Sequence, residues 1–502
     1  KEHIAHLSAA QINALSDTQI QKLNVEGVAF IQVAQLKGIK AEHLKNLSET
    51  QVEKLTANQL KALSTTQIAQ IDDTDFSKIS GDKLKVLSSA QIGALTDNQV
   101  KAISAANLAQ LSSMQIKGLG ETQIKALTPA QVSALTAPQV NQLSATQLNF
   151  MSEAQIKALE VGDISSIAGT QLKNLGETQF TALTPNQIKN LSAAQLKSLS
   201  PQQISLIKAE DIAQIEAKNF AALDANQIAK LKPEQIKKIT PEQIAAMTAA
   251  QIKGLTPGQI EEMDAANQVA HLSGKQLSGL SDVQLQALTD EHIQVLDRDQ
   301  IQALKPNQIK ALKQSQIEAL EQTQIQDLTK TQAKALTADQ VSWLSANQVQ
   351  WLEPEDLAQL ETAQIKKLDV SQIQTFQLQA MKYSQIAALE STQLEEIDIS
   401  KIVASQAKGL STAQITALAE KVALLSNEVL GALTASQIQA ITPAGIGALD
   451  ENQLNALGKT QIAALEKEQL EQIEATKFSA LGSKQLQALS VKQMAFITPD
   501  QA

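Results

Sequence analysis

The chain has 502 residues, too many for one ordinary core, so several domains or a repeat array is expected. Lys and Arg number 42 against 52 Asp and Glu, a net charge of −10, and Arg298 is the only arginine. Without a concentrated basic surface or guanidinium forks to read guanine, composition argues against a nucleic-acid partner. The absence of cysteine excludes disulfides, zinc–thiolate sites and cysteine nucleophiles, and aromatics at 2% suit a core only one or two side chains deep.

From the N-terminus onward, a glutamine precedes an apolar residue at every eighth position. The ruler runs through Gln11, Gln19 and Gln35, then Gln51, Gln59, Gln67, Gln131 and Gln243, up to Gln259. Where it misses glutamine it usually meets another polar residue: His3, His43, Asp75, Lys83, Asn107, Asp163, Asp211 or Asn219. With Gln as position one, the unit reads Q-[IVL]-x-A-[LI]-[STD]-x-x, as in LTPAQVSALTAPQVNQLSATQL over 127–148. The ruler slips near 260–268, 373–385, 401–406 and 415–429, where bends or segment boundaries are expected. It otherwise covers residues 1–502 as one continuous array of roughly sixty units.

An octad cannot be one long helix. At 100° per residue its apolar pair would rotate by about 80° each repeat, and no face would stay apolar. It cannot be a strand either, because positions two and five have opposite parity. Position six is mostly Ser, Thr or Asp, the preferred N-caps, and Gln three residues later completes a capping box. Ten of the eleven prolines fall at position seven, the first helical residue, and Pro138 alone is off by one place. Each octad is therefore expected to be a capped helix of about six residues, unstable alone and held by stacking. The fold class expected is all-α, a solenoid of short capped helices, one per octad. Two or more octads complete a coil, with Ile and Leu inside, Ala at position four for close approach, and positions three, seven and eight in water.

The Gln column is structural on either of two readings, a repeated capping box or a line of side-chain hydrogen bonds along the solenoid. His3, His43 and His292 stand in that column, whereas His6 and His271 are isolated, and no HExxH or other metal spacing occurs. The acidic clusters Asp72, Asp73, Asp75 and Asp297, Asp299 match no EF-hand loop, and Asp72 and Asp297 stand at the cap position. No nucleophile elbow or phosphate-binding glycine loop is present, so neither an enzyme, a cofactor nor a metal is expected. Phe76, Phe180, Phe220 and Phe478 replace the position-two Ile and belong to the core, whereas Phe30, Phe150, Trp343, Trp351 and Phe496 replace the small residue at position four. Trp343 and Trp351, one octad apart, either fill a wider spot in the stack or form an aromatic patch for a partner; they are the candidate partner-binding residues.

The words LTPAQVSAL (127–135) and ITPEQIAAM (239–247) resemble the first helix of transcription-activator-like effector repeats. That family's unit is several times longer, and its DNA reading is not carried over to an octad with an acidic surface. Along nearly the whole chain, ALTxxQIxALTxxQI resembles the octapeptide-repeat segments of large bacterial secreted or surface proteins of adhesin, haemagglutinin or haem-utilisation type. That resemblance implies an extracellular or cell-surface spacer or stalk, with no residue-level site. The alternative is a binding module for a peptide, glycan or protein partner along a groove. Head-to-tail self-association into fibres follows if a solenoid end exposes its core. The start at KEHIAHL, without an initiator Met or signal peptide, reads as a processed product or a part of something longer. No apolar run of about 18 residues occurs, so no membrane insertion is expected.

Overall fold

The computed structural model describes residues 2–502, and among them there is no strand. The α-helices are four to seven residues long, and they follow one another almost without loops. The fold class is the all-α solenoid of capped helices. Two compact units, Lys1–Gly254 and Leu255–Ala502, are built to the same rule.

The octad around Gln131 shows why the sequence folds this way. Thr128 is extended at φ −74°, ψ 155°, and Pro129 follows as the first helical residue of Pro129–Ser133. The Thr128 hydroxyl accepts the Gln131 N–H at 3.2 Å, while the Thr128 N–H donates to Gln131 Oε1 at 2.8 Å. Both halves of the capping box are therefore made. The Leu135 N–H closes the turn on the Val132 carbonyl at 3.1 Å, and Val132 and Leu135 are both buried. The glutamine half survives where position six offers no capping side chain. The N–H groups of Lys232, Lys305 and Glu321 still donate to Gln235, Gln308 and Gln324 at 2.7, 2.9 and 2.9 Å.

The remaining end of the glutamine reaches another coil. Gln131 Nε2 donates to the carbonyls of Val100 and Ile103 at 2.7 and 2.8 Å, 31 and 28 residues earlier. These are positions two and five of the octad four units back. The helices themselves stack on a different neighbour: Pro129–Ser133 packs on Ala105–Leu108 and on Glu153–Ala158, three octads away on each side. A coil therefore holds between three and four octads, a count the sequence does not reveal.

Position seven, expected in water, is exposed at Pro129, Pro185 and Pro233, and at other octads it is also the packing partner of position four. A Cβ on Gly118, at position four, would stand 2.5 Å from the Ser89 carbonyl oxygen, at position seven of the octad four units back. A Cβ on Gly38 would stand 2.7 Å from Cβ of Ala9 in the same relation. At these glycines the helix–helix approach leaves no room for a Cβ, whereas Phe150, Trp343 and Trp351 show that other position-four sites admit large side chains.

In unit Leu255–Ala502 the inter-coil bonds continue through irregular stretches with altered spacing. Gln377 donates to Val349 and Leu352, 28 and 25 residues back, and Gln461 returns to Leu430 and Leu433, 31 and 28 back. One irregular stretch carries backbone strain. Ala419 has φ 49° and ψ −125°, the one positive-φ residue among those described. Replacing Ala419 by glycine removes the Cβ penalty, so a gain of about 1 kcal/mol is expected. A thermal midpoint that falls in Ala419→Gly would contradict this reading.

Candidate functional site

The most regular polar feature is the Gln column, and its side chains face inward. Gln51, Gln59, Gln67, Gln131 and Gln243 are all buried. Gln51 Nε2 donates to the carbonyls of Ile20, Gln21 and Leu23 at 3.0, 3.3 and 2.9 Å. Gln59 reaches Val28 and Ile31 at 2.8 and 2.9 Å, and Gln67 reaches Leu36 and Ile39 at 2.9 and 2.8 Å. Gln243 reaches Ile212 and Ile215, each at 2.8 Å. Each amide joins its own N-cap to two carbonyls of an earlier coil, so the column serves both as capping box and as line of bonds. The acceptors are backbone groups, not other side chains.

Other residues in the column adapt to the same task. His292 imitates glutamine in full: its Nδ1 accepts the Thr289 N–H at 3.1 Å and its Nε2 lies 2.8 Å from the Met263 carbonyl. At His43 the pattern is different. Asn13 Oδ1 takes the Lys40 N–H at 2.8 Å, His43 Nε2 lies 3.2 Å from the Asn13 carbonyl, and the buried His43 Nδ1 has no partner among the described residues. The acidic clusters act as caps, with Asp72 accepting from Thr74 N at 2.9 Å and Asp297 from Gln300 N at 2.8 Å. Aspartates within the column are perturbed. Burial raises the carboxyls of Asp75, Asp163 and Asp211 above the usual range. Burial, aided by Glu353 and Glu355 and opposed by Lys330, pushes Asp356 up to about 6.

Trp343 and Trp351 end the helices Ala338–Trp343 and Ala346–Trp351, and both indoles are half-buried. The first helix packs on Gln314–Glu318 and Thr362–Ile365, the second on Gln322–Gln326, so the two tryptophans belong to different stacks. The exposed aromatics lie elsewhere. Phe376 is 57% and Tyr383 50% exposed, and Lys408 Nζ sits 4.1 Å from the Tyr383 ring centroid. Both fall in the stretch 373–385 read as a slip, but Gln377 and Gln385 make the column bonds there, which puts Phe376 at position eight and Tyr383 at position seven, two positions expected in water; shifting the ruler to Gln377 was the signal that could have found them. A concavity of about 340 Å³ lies at a second slip, lined by Glu395, Glu420, Lys421 and the strained Ala419. Among the described residues no three His, Cys, Asp or Glu lie together as metal ligands would, and no helix is long and apolar enough to cross a membrane.

Fold and column together define a helical repeat protein whose polar signature faces inward. Residues 100–137 match the ALTTAQ repeat, which agrees with the repeat read from the sequence. No curated protein sequence matches the chain. Among solved structures, the chain is similar to the Rif1 N-terminal domain from Saccharomyces cerevisiae in complex with DNA, at 10% identity and a TM-score of 0.27. That likeness covers 98% of this chain, which spans 59% of the Rif1 chain. It is also similar to APUM23 with the oligonucleotide GGAGUUGACGG, at 11% identity and a TM-score of 0.17, over 97% of this chain and 96% of that one. At these scores the superpositions are loose, and the helical architecture stands on the chain's own helices and bonds.

Since those structures hold nucleic acid, the expectation of no nucleic-acid partner is withdrawn. It rested on a net charge of −10, and net charge averages over every face. A stacked array sorts its charges by octad position. Lys37 and Lys61 stand at position three of the stacked helices Val33–Gly38 and Ala57–Ala62, and Lys85, the residue after the next stacked helix Gly81–Leu84, holds the same position and pairs with Asp82 at 3.0 Å.

Proposed function

We propose that the chain is a structural and interaction scaffold, a spacer or stalk of a secreted or surface-displayed bacterial protein, with no catalytic role. The observation that carries this reading is the Gln column. Beyond the first octads, where Gln11 and Gln19 bond only locally, the recurring glutamine typically has its carbonyl oxygen on its own cap and its amide on an earlier coil, which leaves it little with which to bind a substrate. Deleting residues 128–159, four whole octads, tests it. The expected result is a shorter particle by small-angle scattering with helicity per residue unchanged, and a compact particle of unaltered dimensions would oppose it. Surface labelling of intact cells tests the location. End-to-end association into fibres is the assembly variant, and a sedimentation coefficient independent of concentration would remove it.

A second reading, a binding module for a glycan, peptide or protein, is favoured by the exposed Phe376 and by Tyr383, whose ring has Lys408 Nζ 4.1 Å from its centroid. Replacing both with alanine is expected to abolish retention on a glycan or peptide array. Retention unchanged in the double variant would sink it.

A further inference from the structure

We propose that the aspartates in the Gln column, Asp75, Asp163, Asp211 and Asp356, are proton-operated joints: each ties its octad to the coil before it when protonated and loosens that tie when ionised.

The argument starts from what else occupies the column. Asn107 and Asn219 are one methylene shorter than glutamine, and each donates only to the carbonyl 28 residues back, Ile79 at 3.5 Å and Leu191 at 3.3 Å. Lys83 donates to the Glu53 carbonyl and Lys477 to the Gly447 carbonyl. His292 sets Nε2 against the Met263 carbonyl. Each of these substitutes brings an N–H to a backbone oxygen of an earlier coil. Aspartate has the length of asparagine, and the same register of 28 residues sets it opposite Leu47, Leu135, Leu183 and Leu328. An ionised carboxylate has only lone pairs to offer a carbonyl in that place. A protonated carboxyl carries an O–H and can act as asparagine does.

The surroundings favour the proton. Asp163, Asp211 and Asp356 are buried, and Asp75 is half-buried. Asp163 Oδ2 accepts the Glu160 N–H at 3.1 Å, the bond that Gln Oε1 makes elsewhere, which leaves its second oxygen for the inter-coil role. Around Asp356, its own helix contributes Glu353 and Glu355, and Lys330–Ala335, packed against it, contributes Lys330 and Lys334. The other packed helix, Thr375–Ala380, carries no charge, and Asp327 follows the helix four octads back. Two acids on its own turn against two lysines leave burial as the deciding influence, in agreement with the carboxyl's rise to about 6. The folded chain therefore binds this proton more tightly than the unfolded chain. Stability is gained as pH falls from about 6 towards 3.8, and lost as pH rises through that window.

The test follows amide exchange at Leu357 and Leu360, whose N–H groups donate to Glu353 and Leu357. Rates in the full chain are divided by their intrinsic values at pH 5.0 and 7.5. The native chain is expected to lose protection on going from pH 5.0 to pH 7.5 by about 10-fold, the part of the linkage between 3.8 and about 6 that lies above pH 5.0. Asp356→Gln and Asp356→Asn, which keep a donor at every pH, are expected to hold protection constant, and Asp97→Asn, an exposed control, to behave as the native chain does. Carboxyl-carbon NMR should place the Asp356 midpoint above the ordinary aspartate range. Equal pH dependence in native chain and both Asp356 variants, or a midpoint in the ordinary range, overturns the proposal. Should Asp356→Gln fail to fold, Asp356→Asn and the native midpoint still decide it.

Discussion

Gln131→Ala is expected to destabilise the array by about 3–5 kcal/mol, far more than an ordinary polar-to-alanine change. Three hydrogen bonds disappear together: from Thr128 N at 2.8 Å, and to the Val100 and Ile103 carbonyls at 2.7 and 2.8 Å. Each is worth about 1 kcal/mol net, and buried groups left without a partner cost about 1–3 kcal/mol more. The total stays near the lower end of that sum because the Val100 carbonyl also accepts the Ile103 N–H. Gln11 supplies the internal control. It is exposed and makes only the local bonds with Ser8, so Gln11→Ala should cost under about 1 kcal/mol. Urea unfolding midpoints compare the two. Equal losses would mean that the bonds between coils contribute nothing beyond the local cap.

Phe220→Ala is expected to cost a similar amount, about 3–5 kcal/mol, because the ring is fully buried. The more informative experiment concerns its neighbour. In the four octads where Phe takes position two, the column residue is Asp75, Gln179, Asn219 or Lys477. Gln179 donates to Met151 alone, Asn219 to Leu191 alone, and Lys477 to Gly447 alone. A wider ring at position two is expected to set the coils further apart, so that the column side chain reaches one carbonyl and not two. Asn219→Gln alone should therefore gain nothing, whereas Asn219→Gln with Phe220→Ile restores the common pair. A double-mutant cycle is expected to show a favourable coupling of about 1–2 kcal/mol. Strict additivity would break the link between ring size and the inter-coil bond.

The local half of this architecture was legible in the sequence. Proline at position seven, Ser or Thr at position six and Gln three residues later are covalent facts about one helix, and each has a single physical reading. The non-local half was not. The acceptors of Gln131 Nε2 are main-chain carbonyls, which every residue carries, so nothing in the side chains of Val100 or Ile103 announces the pairing. The same blindness hid the number of octads per coil and the contact of position seven with position four. For function, a repeat-based reading looks where the repeat is clear, and so it singled out Trp343 and Trp351. Phe376 and Tyr383 stand at the outward positions eight and seven of the octads of Gln377 and Gln385, and the shifted ruler just before Gln377 hid those positions. Net charge, summed over faces that never meet, was a poor guide to partners.

One property of the inter-coil bond reaches beyond stability. Each glutamine requires only that some octad, four before it, offer the carbonyls of its second and fifth residues. Inserting or deleting a whole octad changes which neighbour supplies them, but not the chemistry supplied. The spacings of 31 and 28 residues at Gln131 and 28 and 25 at Gln377 show that even a shortfall of three residues is absorbed. A gene encoding such an array can therefore grow or shrink by replication slippage without passing through unfoldable intermediates, and molecular reach becomes a trait that varies in steps of one octad.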